Sequence, residues 1–109
     1  MELLVIILNR TELLNDLLSV LVETGVDKAT IFESEGMGHH LAYNVPIFAG
    51  IRQLVGESAG EGRTIMAITE DSGIMEELPV LLKDAGIDFE KKGTGVIFTV
   101  PVSGIIKYQ

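Results

Sequence analysis

Cysteine is absent from the 109-residue chain. That excludes a cysteine nucleophile, a thiolate metal site and disulfide or thiol redox chemistry. It is compatible with the cytoplasm, the compartment expected for this chain. Basic residues are scarce, eight Lys and Arg against sixteen Asp and Glu, for a formal charge of −8. Nucleic-acid binding is therefore not expected, because its interfaces neutralise phosphates with basic patches. Adhesion to an anionic membrane surface is not expected either. Long hydrophobic runs are also missing. The longest aliphatic stretch, residues 3–8, is far below the ~20 residues of a membrane span. Met1-Glu2 lacks the basic region of a secretory signal. Membrane insertion is not expected.

What the chain has is apolarity: 47% of its residues are hydrophobic and mean hydropathy is +0.38. The length predicts one domain, residues 1–109. A domain of this size buries roughly two-thirds of its unfolded surface, enough for a core without staples.

The pattern reads as one unit repeated twice. Residues 3–8 form an aliphatic run of buried-strand length. Asn9, with Glu12 three residues on, predicts a helix cap. Leu13, Leu14, Leu17, Leu18, Leu21 and Val22 then recur at helical spacing, and Gly25 ends the helix. Residues 29–35 are rich in β-formers. The second copy has a strand at residues 64–69, a cap at Ser72 and an apolar stripe of Ile74, Leu78 and Leu82. It ends with Gly86 and a last strand at residues 96–102. Glu23-Thr24-Gly25-Val26-Asp27 matches Asp84-Ala85-Gly86-Ile87-Asp88 at an offset of 61 (86 minus 25). Pro79 falls within the second helix, where it removes a hydrogen bond and predicts a kink.

Strand, helix, strand, twice over, predicts an α+β ferredoxin-like double βαβ sandwich. The expected antiparallel sheet order is 4-1-3-2, with two helices on one face. The strands are apolar on both sides, whereas a sheet covered on one side should alternate. The open face is therefore expected to be buried by another subunit. Between the second and third strands, Asn44 and Pro46 start a further short helix, residues 46–55, with Ile47, Ile51, Leu54 and Val55 on one stripe.

Three glycine-rich places could carry chemistry: Gly36-Met37-Gly38-His39-His40, Gly93-Thr94-Gly95 and residues 56–62. The first two fall at one end of the predicted sheet. Glycine there lets backbone N–H groups approach an anion, or the segments are simply tight turns. His39 and His40, with Glu33 or Glu35, have the chemistry of divalent-metal ligands. Adjacent histidines point apart on an extended chain, so no metal site is assigned. Glu33 and Glu35 alternate onto one strand face. No serine stands in a Gly-x-Ser-x-Gly setting, and no catalytic residue or enzymatic activity is assigned.

The chain resembles the PII signalling superfamily, the nitrogen regulatory proteins and their PII-like relatives. The resemblance rests on the strand–helix opening over residues 3–25, on Glu35-Gly36-Met37-Gly38, and on Gly93-Thr94-Gly95-Val96-Ile97-Phe98-Thr99-Val100-Pro101-Val102. It implies a homotrimer with the sheets facing inward and a role as a regulatory sensor that signals to a protein partner. It also implies an adenine-nucleotide site between subunits, formed by Gly36, Met37, Gly38 and His39 of one loop and Gly93, Thr94 and Gly95 of a neighbour's turn. The chain departs from the family in carrying Val96 where a phosphate-contacting lysine is expected, and no arginine follows that turn. Tyr43 matches no modification motif. With a charge of −8, a triphosphate such as ATP is disfavoured. A second reading is a metal-binding trimer resembling the CutA family. A third is a small ferredoxin-like isomerase or monooxygenase.

Overall fold

A computed structural model describes residues 1–52 and 60–107. Four strands, β1 (Glu2–Leu8), β2 (Thr30–Glu35), β3 (Glu61–Thr69) and β4 (Gly95–Pro101), form one sheet of order β2-β3-β1-β4. Every neighbouring pair is antiparallel. Helices α1 (Leu14–Glu23) and α3 (Ile74–Asp84) connect the strands of each unit. The result is the ferredoxin-like arrangement that the repeated pattern predicts. No described helix is long and apolar enough to cross a membrane.

The core follows from register and periodicity. Successive strand residues face opposite sides of a sheet, and Leu4 and Ile6 of β1 pair with Ala67 and Ile65 of β3. These four residues, with Leu8, are buried beneath Leu17, Val20 and Leu21 of α1 and Ile74, Leu78 and Leu82 of α3. The stripe through Pro79 is thus intact. The helix runs on past that residue, which is exposed and, lacking an N–H, forgoes one helical bond without ending the element.

Both helices stop in the same way. Gly25 and Gly86 have φ of 89° and 88°, a left-handed conformation that glycine adopts without strain. Val26 N–H bonds the Leu21 carbonyl at 2.9 Å and Gly25 N–H bonds that of Val22 at 3.0 Å. Ile87 N–H bonds Leu82 at 2.8 Å and Gly86 N–H bonds Lys83 at 3.0 Å. This is the Schellman pattern, placed twice at the offset of 61 seen in the sequence.

The helix starts differ from expectation. Asn9 is not the cap: Arg10 holds that position before the first turn, and the Asn9 backbone N–H bonds the Thr94 carbonyl at 2.9 Å. The chain enters α1 through a 3₁₀ turn, Thr11–Leu13, without a side-chain cap. Ser72 is not the cap of α3 either. Gly73 holds that position, and its N–H bonds Asp71 Oδ1 at 2.8 Å.

The face opposite the helices carries Leu3, Val5 and Ile7 of β1, flanked by Thr64, Met66 and Ile68 of β3 and by Val96, Phe98 and Val100 of β4. Phe32 of β2 extends it beyond Thr64. Phe32, Ile68, Val96, Phe98 and Val100 remain 38–46% exposed. The lack of alternation in the strands is therefore a sheet apolar on both faces, with a helix layer on only one among the described residues.

Candidate functional site

The segment after β2 is ordered differently from the turn that its glycines predict. Gly36 sits at φ −70°, ψ 140°, an extended conformation, and starts helix α2 (Met37–Asn44). Its N–H bonds the Gly60 carbonyl at 3.1 Å, and its own carbonyl accepts from His40 N–H at 3.0 Å. Met37, Gly38 and His39 form the first helical turn. Pro46 explains where α2 ends. The residue before a proline is excluded from the helical region, and Val45 accordingly adopts φ −118°, ψ 109°. Pro46 then begins a 3₁₀ helix, Pro46–Ile51, its missing N–H being no loss at a first position. The expected helix at 46–55 is thus a 3₁₀ helix over its first part. Leu54 and Val55, and the glycine-rich run as far as Ala59, lie outside the described residues.

The second segment is a turn, as predicted. Gly93 has φ 90° and Gly95 φ 145°. A Cβ on Gly95 would overlap the Ile7 carbonyl oxygen, so β4 approaches β1 closely only with glycine there. Thr94 is 1% exposed. Its carbonyl ties the turn to Asn9, and its N–H bonds Lys91 at 3.2 Å. Thr94 is thus buried and held through its backbone, and Gly93 is the more accessible neighbour.

Both segments lie at the same end of the sheet, where Leu8 of β1 pairs with Arg63 and with Gly95, and Arg63 pairs with Glu33. They do not meet within one chain. β2 and β4 are the outer strands, so the two segments are separated by three strand spacings, about 14 Å. A compact ligand touching both would need a second copy.

At the β2 end an open cleft of about 390 Å³ is lined by Glu33, Ser34, Glu35, His39, Glu61 and Arg63. Register places Glu33 and Glu35 on one face, opposite Arg63 and Glu61. Arg63 lies 3.9 Å from Glu33 and donates to the Gly62 carbonyl at 3.0 Å. Glu35 Oε1 lies 3.6 Å from His39 Nδ1 and 3.3 Å from His40 Nδ1. Three carboxylates thus face one guanidinium, a balance that repels polyanions.

His39 is the hub of this end. Its ring lies against Gly60, where a Cβ would overlap three ring atoms. It stacks on Tyr43 with centroids 4.5 Å apart. The Arg52 guanidinium covers Tyr43 at 4.9 Å, and Arg52 Nε donates to the Ala42 carbonyl at 2.8 Å. His39 Nδ1 is buried with no hydrogen-bond partner among the described residues. Among those residues no group of three His, Asp or Glu side chains is placed to hold a metal ion.

Arg63 and Arg52 carry no local motif, and Glu61 is marked only as part of the glycine-rich run 56–62. The one available signal is Gly60 and Gly62 flanking Glu61, the end of the third glycine-rich run. No protein-family model and no curated protein matches the chain.

Proposed function

We propose that the protein is a PII-like trimeric sensor, binding a small metabolite between subunits and signalling to a protein partner through the insertion that follows β2. The observation that carries this reading is the apolar sheet face. Its apolar residues run across all four strands, with exposed members on β2, β3 and β4, and soluble chains rarely leave such a patch uncovered. Sheets turned inward around an axis cover it. The same assembly offers a way to bring the β2 end of one copy to the Gly93–Thr94–Gly95 turn of the next, segments that are about 14 Å apart in one chain.

The ligand class follows from charge. Glu33, Glu35 and Glu61 outnumber Arg63 in the cleft, so a ligand of low negative charge is favoured over a triphosphate. An adenine nucleotide such as AMP or a cyclic monophosphate fits this better than ATP. The insertion exposes Met37 and Ile47 at 78% and 84%, apolar groups suited to a protein partner. Titration calorimetry with ATP, ADP, AMP and cyclic adenine nucleotides tests the reading. Heat with a monophosphate and little with ATP is expected. No heat with any of them would remove the nucleotide.

A further inference from the structure

We propose that Lys91 and Lys92 of one copy dock against the Glu33, Glu35 and Glu61 carboxylates of the next, and so fix how neighbouring copies meet. This rests on the trimer proposed above and names its lateral contact.

Symmetry sets the requirement. In a ring, each copy meets its neighbours through two different surfaces, which must complement each other. With the sheets turned inward around an axis along the strands, those surfaces are the two sheet edges, β2 and β4. Rotation about such an axis keeps every group at its own height. Groups that meet across the border must therefore lie at the same end of the sheet, on the same side of it and at opposite edges.

The carboxylates meet one half of this requirement. Glu33 and Glu35 share the face of β2 that carries Ile31, whose partner Ile65 is buried beneath the helices. They are therefore on the helix side, at the β2 edge. Glu61 joins them by pairing with Glu35. Arg63 is the one guanidinium among them, 3.9 Å from Glu33, whose side chain is still 88% exposed.

The lysines meet the other half. Ile87 and Phe89 pack into the helix-side core. The chain then turns from Lys91 to Thr94 and enters β4 at Gly95, opposite Leu8. Leu8 also pairs with Arg63, and Arg63 with Glu33, so lysines and carboxylates lie at one end of the sheet. Lys91-Lys92 is the only pair of adjacent basic residues in the chain. Both are exposed, and neither forms an ion pair among the described residues. Two acids share the turn. Asp88 Oδ1 accepts from the Glu90 N–H at 2.9 Å, which leaves Glu90 as the exposed carboxylate beside the lysines. Like charges brought together at a border repel. Here the one doubly basic segment stands where the acidic edge of a neighbour arrives.

Sedimentation equilibrium at low and high salt tests the contact with four proteins: native, Lys91→Glu/Lys92→Glu, Glu33→Lys/Glu61→Lys and the combined fourfold variant. Circular dichroism on the same samples checks that each is folded. At low salt each double reversal should weaken association by about tenfold, and the combined variant should recover most of that loss. The lysine reversal moves the formal charge from −8 to −12 and the glutamate reversal moves it to −4. Weakening in both therefore cannot come from overall repulsion. The differences should shrink at high salt. Association that neither reversal alters, or a combined variant no tighter than its parts, would overturn the lysine contact and leave the trimer standing. A native chain that stays monomeric would remove the trimer, and this contact with it.

Discussion

Replacing Phe98 with Asp should dissociate the proposed trimer while leaving each chain folded. Phe98 is paired with Val5 in the middle of the open sheet face and is 39% exposed in the single chain. Complete burial of a Phe side chain contributes about 1.5–3 kcal/mol, so covering this remainder contributes roughly 1 kcal/mol per copy. Aspartate loses that term and brings a carboxylate among Val5, Met66, Val96 and Val100. In a covered face the charge is desolvated at an effective cost of several kcal/mol per ion. Each ~1.4 kcal/mol weakens association tenfold, and every copy carries the same charge. In a free chain the carboxylate reaches water, so the fold survives. Sedimentation velocity, with far-ultraviolet circular dichroism on the same samples, should show a folded monomer. Val22→Asp is the control: Val22 is 63% exposed on α1, and the mass should not change. A Phe98→Asp protein that sediments with the native mass would refute the reasoning.

Other substitutions test particular elements. Gly86→Ala meets open space but must hold φ near 88°, so it should destabilise by about 1–2 kcal/mol in a urea melt, with Gly25→Ala costing a similar amount. Gly95→Ala should cost more than either, because the methyl overlaps the Ile7 carbonyl and pushes β4 from β1. Leu82→Ala empties a fully buried position between α3 and the sheet and should cost roughly 3–5 kcal/mol. Its own backbone N–H and the Arg10 guanidinium hold the Glu12 carboxyl below its ordinary value of 4.5. The associated stabilisation is present at neutral pH and is lost as pH falls below 4.5 through the folded-state value. In Arg10→Ala, carbon-detected titration should show the Glu12 midpoint moving up.

Much of the fold was legible because it depends on periodicity. Leu21 and Leu82, Gly25 and Gly86, and Val26 and Ile87 hold equivalent places in two helix ends, and the shared pentapeptide announces them. The strand order followed from two βαβ units, and the doubly apolar face from strands that fail to alternate. Capping was less legible because it depends on distant partners. Asn9 has the right chemistry for a cap, but its backbone is held by the Thr94 carbonyl, 85 positions away, and the first helical turn starts only at Thr11. Gly36-Met37-Gly38 looked like a turn because glycines favour turns, yet Gly36 adopts an extended conformation and the chain coils until Pro46 stops it. Arg63 is visible only through its register with Glu33, and the pairing of Glu61 with Glu35 likewise depends on register. The role of Gly60 depends on the imidazole placed against it, which no local pattern encodes.

The proposed trimer requires that other copies of the chain cover the sheet's open face. Sedimentation equilibrium of the native protein at micromolar concentration measures this directly. Three chains of 11.8 kDa predict a mass of about 35 kDa. A stable species at 11.8 kDa, with Phe32, Val96 and Phe98 left in water, would contradict both the trimer and a site shared between its subunits.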